Sequence, residues 1–281
     1  MATDLTADQR AAIRRVLENP QFEMIPMKNA LEQAAYLPEG AMVSVTASPV
    51  KPLEETIDLA AELHRRGFDV IPHLSARMTE DRTHLEKMAA RLHELGIRKL
   101  FVVGGDASDP GEFFDAGSVL RALDDMGAEF ERIGIGSYPE GHHIFDDDTA
   151  RRALHDKQPY ASYMATQMCF DADAITSWIG HMRTDGITLP VVIGVPGVAD
   201  RLKLMRISAR IGVGRSLKFL TRHRGMLRSF VEPGGFSPDE LLEDLADTLL
   251  DERANIINVH IYTFNQVETT ERWRREYLAS L

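Results

Sequence analysis

The stretch MVSVTASPVKPLEETIDLAAELHRRGFDVIPHL, residues 42–74, holds the unit from which the fold is read. Residues 42–46 (Met-Val-Ser-Val-Thr) form a short run rich in β-branched side chains. Residues 53–66 then place Leu53, Ile57, Ala60, Ala61 and Leu63 near one face of a helix, and residues 69–74 return to a short apolar run. A period near two gives way to a period near 3.6 and comes back, which is the pattern of strand, helix and strand.

The same alternation extends in both directions. Further strands are predicted over residues 22–26, 98–105, 132–138, 162–169, 189–195 and 258–264. Helical patterns cover residues 79–95, with Thr79 as the expected N-cap and Gly96 as the terminator, then residues 171–183 and 237–253. Eight short buried strands alternating with helices predict an α/β fold with parallel strands. Eight is also the number that closes a (β/α)8 TIM barrel; a doubly wound open sheet is the rival. Residues 4–18 form an extra N-terminal helix, expected to cap the barrel's bottom. Residues 208–236, with Gly212, Gly214, Gly225, Gly234 and Gly235, form an insertion between strands seven and eight. No repeat or linker divides the chain, so residues 1–281 are read as one domain.

Composition narrows the function. Lys and Arg number 32 against 43 Asp and Glu, a net charge of −11, which argues against a nucleic-acid or membrane-surface partner. Cys169 is the single cysteine, so neither an internal disulfide nor a four-thiolate metal site can form. The polar start lacks a signal-peptide pattern, and no run approaches the ~18 apolar residues of a membrane span. The expected location is the cytoplasm. An oligomer of identical subunits is compatible with the sequence but has no legible pattern.

In a barrel of this kind the chemistry gathers at the C-terminal ends of the strands. Those ends carry Glu23, Thr46, His73, Asp106, Tyr138 with Glu140 and His142, Gln167, and Tyr262 with Asn265. Glu23 stands in an apolar strand, Phe22-Glu23-Met24-Ile25. Burial favours the protonated form of such a carboxyl and makes it a candidate proton donor, although a structural ion pair would also explain it. His73 alone reads as a satisfied strand-end histidine. Asp106 follows Gly104-Gly105 and reads equally as a turn residue or a site residue. Asp146-Asp147-Asp148 is a helix start rather than a metal loop. The pairs Gly134-x-Gly136 and Gly212-x-Gly214 lack the third glycine of a dinucleotide fingerprint. The basic run Arg206, Arg210, Arg215, Lys218, Arg222 and Arg224 reads first as a solvated face and second as a phosphate or polyglutamate site.

Taken in order, these residues resemble the methylenetetrahydrofolate reductase family over residues 22–265. The matching motifs are Phe22-Glu23-Met24-Ile25-Pro26, Val43-Ser44-Val45-Thr46, Pro72-His73-Leu74, Gly105-Asp106, Tyr138-Pro139-Glu140-Gly141-His142, Lys157, Thr166-Gln167 with Phe170-Asp171, and Tyr262-Thr263-Phe264-Asn265. The resemblance implies a barrel that binds FAD at its top without a Rossmann fold. NADH or NADPH reduces the flavin, and methylenetetrahydrofolate then takes the hydride. It implies catalytic roles for Glu23, as general acid, and Asp106. It implies flavin contacts at Thr46, His73, Gly105, Asp106, Tyr138, His142 and Lys157, and folate contacts at Glu23, Asp106, Gln167 and Tyr262. The chain departs from the family pattern at Gly104, where an arginine that helps hold the flavin is usual, and at Lys203, where a second glutamine is expected. The Gly104 departure motivates an alternative in which hydride passes directly from the nicotinamide to the folate without flavin. A folate-binding barrel without activity, and an unrelated aldolase-type barrel, are further alternatives. The second of these would want a Schiff-base lysine at the C-terminal end of a strand or a metal triad, and the sequence offers neither there.

Overall fold

The computed structural model describes residues 5–142, 144–198 and 237–281. Eight strands close into a barrel in sequence order, every neighbouring pair parallel, with β8 returning to pair with β1. They are β1 (Gln21–Met24), β2 (Met42–Val45), β3 (Asp69–Ser75), β4 (Lys99–Val103), β5 (Arg132–Ser137), β6 (Tyr163–Thr166), β7 (Val191–Pro196) and β8 (Ile256–Tyr262). The closed order excludes the open-sheet alternative. The predicted strands all form, mostly shorter than their apolar runs, because residues such as Gly104, Gln167 and Phe264 already belong to the loops at the barrel's top.

Side-chain alternation divides the strands between two cores. One face packs outward against the helices, with Phe22, Met24, Val43, Val45, Leu100, Val102, Ile193 and Ile261 in the larger core. The other points into the barrel, where Ile71, Phe101, Tyr163, Ala165 and Val192 pack together. Strands buried on both faces account for the continuous apolar runs in the sequence.

The helices are α1 (Ala7–Glu18), α2 (Ala30–Gln33), α3 (Leu53–Arg65), α4 (Arg82–Glu94), α5 (Ala116–Asp125), α6 (Asp147–Lys157), α7 (Ala172–Thr184), α8 (Asp239–Asp244), α9 (Ala246–Leu250) and α10 (Val267–Ser280). The face read for α3 is buried as expected: Leu53, Ile57, Ala60, Ala61 and Leu63. The start of α4 is a correction. Its N-cap is Asp81, whose carboxylate accepts the His84 N–H at 2.7 Å. Thr79 lies buried before the helix and donates its hydroxyl to the Ser75 carbonyl at 2.9 Å. Asp115, Asp146 and Asp171 cap α5, α6 and α7 in the same way as Asp81, so the triplet at 146–148 is a capped helix start. The single helix expected over 237–253 is two short helices, α8 and α9, followed by a 3-10 turn at Glu252–Ala254.

Helix α1 seals the bottom. It buries Ile13, Val16 and Leu17, and Arg15 donates to the carbonyl of Ile256, the first residue of β8, at 3.0 Å. Between β7 and α8 lie the insertion 208–236, the six basic residues and Lys203, all outside the described residues. Among the described residues no helix is long and apolar enough to cross a membrane.

Candidate active site at the barrel mouth

Inward-facing positions recur every second residue, so the strands deliver polar groups to the upper barrel. On β1 these are Gln21 and Glu23, on β2 Ser44, on β3 His73 and Ser75, and on β8 His260 and Tyr262. Glu23 is 6% exposed. Its carboxylate accepts the backbone N–H of Phe264 at 3.3 Å, and its carbonyl accepts the Thr263 hydroxyl at 2.6 Å.

Tyr262 closes the top of β8 beside it. Its hydroxyl donates to the Thr166 carbonyl on β6 at 3.2 Å. Burial drives the phenol far above its ordinary pKa, and the charges of Glu23 and Tyr138 push the same way. Tyr138, one residue past β5, is also raised, by burial first and then by Asp106. Glu23, Asp106, Tyr138 and Tyr262 stand at or just past the C-terminal ends of β1, β4, β5 and β8, and closure of the barrel brings those ends to one mouth. Asp106 is exposed on the rim. Gly105 before it has φ +83°, and a Cβ added there would lie only 2.0 Å from Ser75 Oγ. A side chain at 105 would therefore collide with Ser75 on β3, which is why glycine stands before Asp106. Gln167 tops β6, its N–H donating to the Ser137 carbonyl at 2.7 Å while its side-chain oxygen accepts the Met168 N–H at 3.0 Å.

His73 lies deeper. Its Nε2 is 2.7 Å from Ser44 Oγ, and its ring stacks on Phe101 at 4.7 Å. Burial, reinforced by His260, pushes its pKa down to about 3, and burial alone takes His260 to about 4. Both rings are therefore neutral at ordinary pH. Thr46 follows β2, its N–H donating to the Met24 carbonyl at 2.9 Å. His142 stacks on Phe145 at 4.1 Å and meets the Tyr138 ring edge-on at 4.7 Å.

Lys157 is the remaining predicted contact. It ends α6, is 9% exposed, and donates to the Gly136 carbonyl on β5 at 3.4 Å. Burial lowers its pKa to about 8, an effect opposed by Asp115. Its ammonium thus lies at the seam between β5 and the α5 N-terminus.

Sequence reasoning passed over Gln21, Ser44 and His260 as site residues. Gln21 Oε1 lies 3.4 Å from His260 Nδ1, and together with Tyr163 these groups form a polar layer beneath Glu23 and His73. A usable signal was present, because Gln21 is two residues before Glu23 and His260 two before Tyr262.

A family model described as methylenetetrahydrofolate reductase matches residues 26–273. Methylenetetrahydrofolate reductase 1 of Schizosaccharomyces pombe is 29% identical over 115 residues, which cover 37% of this chain and 19% of that protein. A Caenorhabditis elegans protein named "Probable methylenetetrahydrofolate reductase (NADPH)" is 26% identical over 203 residues, covering 64% of this chain and 29% of that protein. The chain therefore matches less than a third of the length of either relative.

Proposed function

Because the chain belongs to the methylenetetrahydrofolate reductase family, we propose that it interconverts 5,10-methylenetetrahydrofolate and 5-methyltetrahydrofolate, the reducing hydride originating on NADH or NADPH. The observation that carries this reading is the placement of Glu23, a carboxyl 6% exposed at the top of β1 with Tyr262, Tyr138 and Asp106 around the same opening. The methylene bridge of the folate is a poor hydride acceptor until one of its C–N bonds opens. A proton given by Glu23 to the departing nitrogen leaves an iminium carbon, and hydride addition to that carbon makes the methyl group. Asp106 on the rim supplies negative charge toward the cationic iminium. Gln167, with both an amide donor and acceptor, and the Tyr262 ring form the wall against which the pterin would lie. His73 and His260, both neutral, add polarity beneath the substrate without adding charge.

The route of the hydride divides the proposal in two. In the first form the hydride would pass by way of a bound FAD, whose ring edge Thr46, His73, Tyr138 and His142 would hold. The flavin would supply the reversible two-electron chemistry. Among the described residues the flavin contacts depart from the family pattern at one position and are enclosed at another. Position 104 has no side chain, and Lys157 is enclosed on Gly136 beside Asp115. The Gly104 departure motivates the second form, direct transfer from the nicotinamide to the folate.

An absorbance spectrum of the purified protein tests the route. Flavin bands that bleach with NADH under anaerobic conditions and return with methylenetetrahydrofolate would establish the relay. A colourless protein that turns over without added FAD would establish direct transfer. No turnover with NADH or NADPH in either direction, with or without FAD, would overturn the reductase reading and leave a folate-binding barrel.

A further inference from the structure

The turn that leads from β8 into α10 is built in an unusual way. Phe264 and Asn265 both have left-handed backbones, with φ of +52° and +54°. Asparagine tolerates this region, but a bulky residue such as phenylalanine rarely enters it. Phe264 and Asn265 are also both 4% exposed, so the turn is held inside the molecule rather than looping through solvent.

What the conformation achieves is visible on β1. The ladder between β1 and β8 contains only Gln21 opposite His260 and Phe22 opposite Ile261. From Glu23 onward the strand has lost its β8 partner, and the turn replaces it with side chains. The Thr263 hydroxyl donates to the Glu23 carbonyl at 2.6 Å and accepts the Asn265 N–H at 3.2 Å. The Asn265 amide brackets Ile25, accepting its N–H at 2.8 Å and donating to its carbonyl at 2.9 Å. The same amide nitrogen lies 3.4 Å from Asn29 Oδ1. Between these two anchors the left-handed Phe264 turns its own N–H onto the Glu23 carboxylate. Three consecutive residues thus hold Glu23 through its carbonyl, its carboxylate and the peptide two positions on.

We infer that Asn265 and Thr263 are positioning residues for Glu23, acting through β1 and the Phe264 N–H to hold its carboxyl in the orientation from which it gives its proton. The inference rests on the proposed role of Glu23. A carboxyl on a strand end without such anchors would sample several orientations, and a displacement of about 1 Å in a reacting group costs on the order of 100-fold in rate. A purely structural turn would need neither the left-handed phenylalanine nor an N–H aimed at a side chain.

A double-mutant cycle tests this. Asn265→Ala is expected to lower folate turnover by roughly 10- to 100-fold, with KM for folate and affinity for NADH changed by less than about threefold. In a Glu23→Gln background the same change is expected to cost less than about threefold, since the group it positions is gone. Thr263→Val, which keeps the shape and removes the hydroxyl, is the milder variant should Asn265→Ala fold poorly, and it is expected to show the same non-additivity. Equal losses in both backgrounds, or no loss with the native Glu23, would overturn the clamp. Full activity of Glu23→Gln alone would instead overturn the role of Glu23. An activity-independent reading comes from protein labelled with ¹⁵N only at its 12 phenylalanines. The Phe264 amide resonance should move in Glu23→Gln and again in Asn265→Ala, and a resonance indifferent to both would refute the hydrogen bond at the centre of the inference.

Discussion

Mild acid should weaken this barrel more than its surface charges would suggest, because two imidazoles lie inside it. His73 is held near a pKa of about 3 and His260 near about 4, against an ordinary value of 6.5. As pH falls through 6.5 the unfolded chain takes up protons at both positions while the folded barrel refuses them. The unfolded state then binds more protons, so folding stability rises with pH and falls with acid. The contribution is fully present above about pH 7 and is lost progressively down to the folded pKa values. At about pH 5 each ring lies about 1.5 pH units below 6.5 and well above its folded value. At about 1.4 kcal/mol per unit that is about 2 kcal/mol each, and about 4 kcal/mol for the pair. Most carboxylates remain ionised at about pH 5, so the window isolates the histidines. Urea unfolding at constant ionic strength between about pH 7 and about pH 5 measures the loss. His260→Gln should be compared through its slope with pH rather than its absolute stability, and that slope is expected to be about half the native one. A total loss below about 1 kcal/mol, or an unchanged slope in the variant, would refute the claim that these rings stay neutral in the folded barrel.

Three substitutions probe the mouth. Gly194→Ala would put a Cβ 2.2 Å from the Thr166 carbonyl and 2.8 Å from the Tyr262 ring. It is expected to destabilise by roughly 1–3 kcal/mol and to raise KM for folate, since Gln167 and Tyr262 must move; unchanged melting and kinetics would show that the strand tops yield freely. Asp106→Asn keeps the size of the rim residue and removes its charge. Steady-state turnover should fall by about tenfold or more, and a native rate would take Asp106 out of the site. Lys157→Met should leave the affinity for FAD and NADH within about twofold, measured by fluorescence titration. A tenfold weakening would mean that its ammonium reaches a phosphate after all.

The barrel was legible without coordinates. Eight β-branched runs separated by amphipathic stretches are a local pattern, and local periodicity is what a single sequence records best. Most of the mouth was legible too, because a barrel's topology sends every strand end to the same face, so Glu23, His73, Tyr138, Gln167 and Tyr262 could be read from their positions. Helix starts were read less well. Thr79 and Asp81 are both good caps two residues apart, and only burial of the Thr79 hydroxyl against Ser75 decides between them. Three further matters depend on packing in space. Lys157 matches a family motif but spends its ammonium on Gly136, since the direction of a long side chain depends on what packs over it. Gln21 and His260 meet beneath Glu23 although 239 residues apart, because closing the barrel makes the first and last strands neighbours. The grip of Thr263, Phe264 and Asn265 on β1 arises from the same closure. A contact between the two ends of the chain is set by ring geometry, and no window of sequence contains it.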